Sequence, residues 1–119
     1  MIIAVDFDGT LVEHKYPDIG NEAPFAFAIL RTLQEQGHQL ILYTMRSGRE
    51  LFNAVQFCQK RGVTFWGVNE NPDQHTWTDS RKVFAHLYID DAAYGVPTKP
   101  ATEIGLRPVV DWSKIEIGR

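Results

Sequence analysis

The first nine residues of the chain constrain its fold more than any other segment. Residues 2–5 form an apolar run typical of a buried strand, and Asp6-Phe7-Asp8-Gly9 follows it directly. Because alternate side chains of an extended chain share one face, Asp6 and Asp8 leave the strand end on the same side. Two carboxylates held so close repel each other unless a divalent cation or a shared proton lies between them. The alternative interpretation is an acidic turn that only closes the strand.

Four more segments of the chain have the pattern of a strand. Apolar runs predict strands at residues 2–6, 39–44, 63–66, 84–90 and 108–110. Residues 69–80 are rich in Asn, Asp, Thr and Pro and are predicted to be a loop, while residues 111–117 are predicted to form a last helical turn.

Two amphipathic helices are predicted between these strands. The first has Pro24 in its first turn and ends at Gly37, and the second begins at Ser47 and ends at Gly62. Ser47 and Glu50 match a capping box at the start of the second helix. Strands that alternate with helices imply a three-layer α/β/α domain with a mostly parallel sheet covered on both faces.

Length and composition limit the remaining possibilities. A chain of 119 residues has room for one modest core, so we expect a single domain over residues 1–119. A net charge of −3 argues against general nucleic-acid binding, which needs a basic face. Cys58 is the only cysteine and lies in a helical pattern, so we expect a buried, inert thiol. An acid at position 6 and the lack of long apolar runs predict a cytoplasmic protein without a membrane partner.

Polar residues follow or precede several of the predicted strands. Thr44 closes the second strand, Asp90 and Asp91 close the fourth, and Lys82 stands just before the fourth. In parallel α/β sheets, ligands bind outside the carboxyl ends of the strands. The sequence therefore predicts one site that contains these residues together with Asp6.

Four short motifs, taken in order, resemble those of the haloacid-dehalogenase-like (HAD-like) phosphatases. They are Asp6-Phe7-Asp8-Gly9-Thr10, Leu42-Tyr43-Thr44, Lys82 and Tyr88-Ile89-Asp90-Asp91. The resemblance covers nearly the whole chain up to about residue 97. It implies a Rossmann-like three-layer domain with the strand order 3-2-1-4-5.

The resemblance also implies roles for the acidic residues. Asp6 is expected to be a nucleophile that becomes phosphorylated, and Asp8 is expected to be its general acid and base. A Mg²⁺ ion is expected to bind the carboxylates of Asp6, Asp90 and Asp91 and the backbone carbonyl of Asp8. Which of Asp90 and Asp91 is the direct ligand stays open.

Three further residues are expected to bind the phosphoryl group of the substrate. Thr44 is expected to donate its hydroxyl to a phosphate oxygen, with an ordinary strand residue whose hydroxyl is satisfied as the alternative. Lys82 is expected to supply a fixed positive charge, with its neighbour Arg81 as the alternative. Arg46 is either a ligand of a second phosphate oxygen or a solvated loop charge. His14 and Tyr16 lie in a loop where relatives carry a small flap over the site.

The spacing of the motifs leaves no room for a separate cap domain. A capless member resembles those relatives that act on bulky substrates, such as phosphorylated proteins, nucleic-acid ends or lipid-linked sugars. It also resembles those whose site is completed by another subunit. We therefore expect a phosphorylated substrate, and its identity and the oligomeric state stay open.

Two other functions compete with a phosphatase. The first is a non-catalytic binding or regulatory module that uses the same fold. The second is a receiver-like domain, which carries its phosphorylated aspartate at the end of the third strand. Here that strand ends in Trp66-Gly67-Val68-Asn69 without an aspartate, which argues against the receiver. A dehalogenase does not need a second acid, so Asp8 favours phosphoryl transfer.

Overall fold

A four-stranded parallel sheet lies at the centre of the computed structural model, which describes residues 1–117. Its order is β3-β2-β1-β4, formed by β1 (Ile2–Val5), β2 (Gln39–Leu42), β3 (Gly67–Val68) and β4 (Leu87–Ile89). β1 is a central strand, and its last residue, Val5, is paired with Leu42 on one side and Ile89 on the other. The carboxyl ends of all four strands therefore meet at one edge of the sheet.

Both α-helices cover the same face of this sheet. Buried residues of α1 (Ala26–Glu35) and α2 (Gly48–Gln59) belong to one core cluster with Ile3, Val5, Leu40 and Leu42 of the strands. Because strand side chains alternate between faces, Ala4 and Ile41 point to the opposite side. There they pack with Val83 and Ala85, which come from an irregular segment. Within residues 1–117, loop residues therefore cover the face where a second layer of helices was expected.

The predicted strand at residues 108–110 forms, but it does not join the central sheet. β6 (Val109–Val110) pairs antiparallel with β5 (Thr98–Lys99) in a separate two-stranded sheet. The two strands are close in sequence, so this pairing needs only the loop of residues 100–108 between them. The α/β class and the order of the first four strands agree with the prediction, and the fifth position of the 3-2-1-4-5 order is not confirmed.

Two strands are displaced from their predicted positions. The backbone N–H of Val63 donates to the carbonyl of Cys58, so the predicted start of the third strand still belongs to the end of α2. The strand itself begins later, at Gly67. The fourth strand starts only at Leu87. In the segment before it, side chains bind the backbone; for example, Gln74 Oε1 accepts the N–H of Phe84 at 2.8 Å.

The helix termini also differ from the sequence prediction. α1 begins at Ala26, beyond Pro24. Ser47 does precede α2, but its hydroxyl makes no capping hydrogen bond, so the predicted capping box is not formed. Gly48, the first residue of α2, has φ of +55°, and a first turn with this backbone does not aim the Ser47 side chain at the helix N–H groups. The last helical turn is a short 3₁₀ segment, Trp112–Lys114.

One core cluster contains buried residues from Ile3 to Trp112. The single domain predicted for residues 1–119 includes residues 118 and 119, which lie outside the described part of the chain. In the part that the structure describes, no helix combines the length and the apolar character needed to cross a membrane.

The reactivity of the Cys58 thiol is a measure of how tightly α2 packs against the sheet. Cys58 is fully buried, and burial raises the pKa of its thiol to about 12. We expect a thiol-specific disulfide reagent at mildly alkaline pH to leave the native protein unlabelled and to label one thiol per chain in denaturant, since the thiolate is the reactive form. Absorbance of the released chromophore measures this. Rapid labelling of the native protein would show that α2 does not pack as described.

Candidate active site

A cavity of about 480 Å³ opens at the carboxyl edge of the sheet. Its walls include Asp6 after β1, Thr44 after β2, and Asp90 and Asp91 after β4. Asp8, two residues beyond Asp6, also lines it. The structure thus brings together residues that are far apart in sequence, because parallel strands end at the same edge.

Three of these acids form a tight cluster. Carboxylate oxygens of Asp6, Asp90 and Asp91 all lie within 4.8 Å of one another. The pKa of Asp6 is raised to about 8, first because the carboxyl group is buried and second because the charge of Asp90 is close. Without a cation, three charged carboxylates at this distance are electrostatically unfavourable.

Two side chains that the sequence analysis did not assign connect the acids. The hydroxyl of Thr10 donates to Asp6 Oδ2 at 3.1 Å and accepts the backbone N–H of Asp91 at 3.1 Å. Nε2 of His14 lies 2.8 Å from Asp91 Oδ2. Thr10 is the last residue of the first motif, so its position was a usable signal, whereas the contact of His14 with Asp91 depends on how the loop folds back.

Gly9 is required at the base of this cluster for two reasons. Its φ is +84°, a left-handed conformation that side chains disfavour. A Cβ atom at this position would overlap the His14 ring and lie 2.6 Å from Asp91 Oδ2. A glycine therefore allows the first and fourth motifs to approach each other.

The acidic cluster fits a hard divalent cation. Carboxylate oxygens are the preferred ligands of Mg²⁺ and Ca²⁺, and two oxygens bound to one Mg²⁺ ion are at most about 4.2 Å apart. Two oxygens at the observed limit of 4.8 Å would need only a small inward movement to bind the same Mg²⁺ ion. The residues that could hold such an ion are Asp6, Asp90 and Asp91.

Arg46 is buried and forms an ion pair with Asp8. Its Nε and Nη2 atoms each donate to one oxygen of the Asp8 carboxylate at 2.8 Å. The other N–H groups donate to the backbone carbonyls of Pro17, Asp18 and Glu50. A guanidinium has five N–H donors, and all five have a partner here, so none is free for a substrate in this arrangement. Of the two interpretations of Arg46, a solvated loop charge is excluded because only 2% of the residue is exposed.

Asn69, another residue that the sequence analysis did not assign, holds Thr44 in place. Its side-chain oxygen accepts the backbone N–H of Thr44 at 2.8 Å. The hydroxyl oxygen of Thr44 accepts the backbone N–H of Arg46 at 3.1 Å. The hydroxyl hydrogen of Thr44 is therefore free to donate to a ligand in the cavity.

The two cations considered for the third motif lie outside the cavity. Lys82 is exposed, and its ammonium group lies 5.7 Å from the centre of the Tyr88 ring, beside a neighbouring cavity that Trp77 and Phe84 also line. Arg81 is also exposed and faces a third cavity. Neither side chain lines the cavity that contains the acids.

Comparisons with known proteins place the chain in a family. No family model matches it, and no curated protein matches it. A solved structure of the conserved protein coded by a locus of Bacteroides thetaiotaomicron is 47% identical, with a TM-score of 0.75. The match covers 80% of this chain and 78% of that chain. The chain belongs to the family of this protein. The likeness shows the family and the fold, and it names no activity.

Removal of one acid tests whether the cluster binds a cation. A ligand at about one hundred times its Kd adds about 2.7 kcal/mol to the free energy of unfolding, which raises the Tm of a domain of this size by roughly 10 °C. We expect Mg²⁺ to raise the Tm of the natural protein in this way, measured by scanning calorimetry. Asp90→Asn should have an equal or higher Tm in chelator, because repulsion is relieved, and should no longer respond to Mg²⁺.

The matched control is Asp79→Asn, which removes an exposed carboxylate outside the cluster. This variant should respond to Mg²⁺ like the natural protein. An equal response in Asp90→Asn would mean that the cation binds elsewhere.

Proposed function

We propose that this chain is a Mg²⁺-dependent phosphatase of the HAD-like type, which hydrolyses a phosphate monoester through an aspartyl phosphate on Asp6. The observation that carries the proposal is the convergence of Asp6, Asp90 and Asp91 within 4.8 Å at the carboxyl edge of a parallel sheet. Thr44 and Asp8 line the same cavity, so the first, second and fourth motifs meet in one place.

The charges of the site support phosphoryl transfer. A phosphate monoester is a dianion, and a carboxylate can attack it only if positive charge offsets the repulsion. A Mg²⁺ ion bound by Asp6, Asp90 and Asp91 would supply that charge, and sites of this ion commonly combine carboxylates with substrate phosphate. Mg²⁺ rather than Ca²⁺ is part of the proposal.

In the first step, an oxygen of Asp6 attacks phosphorus and the ester bond to the leaving group breaks. Asp6 sits at the end of β1, where its backbone N–H donates to the carbonyl of Ile89 at 3.0 Å. This bond to β4 holds the nucleophile in a fixed position. The free hydroxyl hydrogen of Thr44 is available to donate to an oxygen of the transferred group.

Asp8 serves both proton transfers. In the first step it gives a proton to the leaving oxygen, and in the second it takes one from the water that attacks phosphorus. That attack releases inorganic phosphate and restores the Asp6 carboxylate. In this structure Asp8 is paired with Arg46, so donation in the first step requires that the carboxyl group carry a proton at first and turn away from Arg46.

The open cavity supports a large or extended substrate. The loop residues Tyr16 and Met45 line it, and both are exposed, with 98% of Met45 accessible to solvent. A phosphate group carried on a bulky molecule fits this arrangement without a cap. We further propose a cytoplasmic site of action and the full 3-2-1-4-5 topology of the HAD-like fold, which the order of the first four strands supports.

A metal titration with an aryl phosphate tests the proposal directly. We expect hydrolysis of nitrophenyl phosphate to require Mg²⁺ and to stop when a chelator is added. Ca²⁺ should inhibit, because its looser geometry allows Asp6 to bind it through both oxygens, which leaves none for attack. Absorbance of the released nitrophenol measures both. Full activity in excess chelator would exclude this mechanism, and binding of phosphorylated compounds without turnover would favour the non-catalytic module.

Substitution of each acid of the first motif separates the nucleophile from the proton carrier. Asp6→Asn should reduce turnover to background, because the attacking oxygen is lost. Asp8→Asn should lose about 10²–10⁴-fold with substrates whose leaving group needs a proton, and less with nitrophenyl phosphate if formation of the aspartyl phosphate is rate-limiting. In that variant the phosphorylated intermediate should accumulate, and rapid quench with mass spectrometry should find the added mass on the Asp6 peptide.

Two controls are needed for this comparison. Asp8→Asn removes the partner of the buried Arg46, which costs roughly 3–5 kcal/mol in buried pairs, so the Tm of each variant must be measured. A label on Asp90 or Asp91 would show that nucleophile and metal ligand are assigned the wrong way round. Activity without any label would indicate direct attack by water.

A further inference from the structure

The cavity lacks one positive charge if Arg46 is its only cation. Within residues 1–117, the cavity is lined by four carboxylates, those of Asp6, Asp8, Asp90 and Asp91. Arg46 balances Asp8, and a divalent cation balances two of the remaining three. One carboxylate charge is then left to repel an incoming phosphate dianion. A second side-chain cation in the cavity would offset it.

Neither Arg46 nor Lys82 is placed to fill this role. All five N–H donors of Arg46 have partners within the protein. Lys82 lies beside the Tyr88 ring and lines a different cavity. A cation that offsets the remaining carboxylate charge must therefore come from another residue that lines the cavity.

Arg107 occupies the required place. It lines the cavity together with the four aspartates and is exposed to solvent. Among the described residues, the guanidinium of Arg107 makes one hydrogen bond, from Nη2 to Nδ1 of His14 at 3.0 Å. Four of its five N–H donors thus remain available for a ligand.

We propose that Arg107 binds the phosphoryl oxygens of the substrate in place of Lys82, an inference that rests on the proposed phosphatase function. A guanidinium can donate two parallel N–H bonds to a phosphate group, which an ammonium cannot. Arg107 also donates to Nδ1 of His14, whose Nε2 faces Asp91. The cation is thereby linked to the acidic cluster through a single side chain.

A network of contacts holds the segment that carries Arg107 against the loop after β1. Glu13 is fully buried, and its Oε2 accepts the backbone N–H of Thr102 at 2.7 Å and the hydroxyl of Thr102 at 2.8 Å. Lys15 pairs with Glu103 at 2.9 Å on the surface. The other end of the segment is held by Val110, whose N–H donates to the carbonyl of Gly9. The position of Arg107 is therefore set by two anchored ends.

Binding of inorganic phosphate tests this role without turnover. Isothermal titration of phosphate into the Mg²⁺-loaded protein should give a Kd that rises about 10- to 100-fold in Arg107→Gln, the range expected for loss of charged hydrogen bonds. Arg107→Lys should recover part of the affinity, because it restores the charge but not the paired donors. In the same variants the KM for nitrophenyl phosphate should rise more than kcat falls.

Matched variants distinguish this inference from the function on which it rests. Lys60→Gln removes an exposed positive charge at the far end of α2 and should change the Kd for phosphate by less than about twofold. The affinity for Mg²⁺ measured without phosphate should stay the same in Arg107→Gln. A larger loss in Lys82→Gln than in Arg107→Gln would overturn the inference and leave the phosphatase intact. Failure of the natural protein to bind phosphate or hydrolyse any ester would overturn both.

Discussion

The buried ion pair between Arg46 and Asp8 is the interaction on which the arrangement of the candidate site depends. The guanidinium lies between the rings of Phe7 and Tyr16, with its central carbon about 5 Å from each ring centre. Its remaining donors bind the loop after β1 and the first turn of α2. A single side chain therefore joins the first motif, the loop over the site and the second helix. Loss of Asp8 would leave the buried guanidinium of Arg46 without its counter-charge.

The second constraint is the repulsion among the acids at the end of β1 and β4. Thr10 and His14 contact the oxygens of Asp6 and Asp91, and Gly9 leaves the room for these residues to stand close together. Burial, and after it the charge of Asp90, raise the pKa of Asp6, and a cation would remove the repulsion. The carboxylates that repel one another without a cation are therefore also the ligands that would bind a divalent ion, and such an ion would attract the phosphate group of a substrate.

Sequence patterns predicted which helices and strands form better than they predicted the residues at which these elements begin and end. The strand before Asp6 and the two helices are where periodicity placed them, since an apolar run and an amphipathic stripe are local properties. The start of β4 was misplaced because Gln74, in the preceding loop, accepts the backbone N–H of Phe84, a contact that strand periodicity does not reveal. The strand at 108–110 was assigned to the wrong sheet because a propensity for extended structure does not specify a partner.

By itself the sequence determined which acids follow which strands, and hence that Asp6, Thr44 and Asp90 meet at one edge of a parallel sheet. That result needs only the rule that parallel strands end together. Only the tertiary structure decided which cations face those acids. Arg46, Lys82 and Arg107 are all charged residues in irregular segments, and no periodicity relates such segments to a face of the fold. Their directions are set by contacts between distant residues, among them the hydrogen bonds from Thr102 to Glu13 and from the backbone N–H of Thr44 to Asn69.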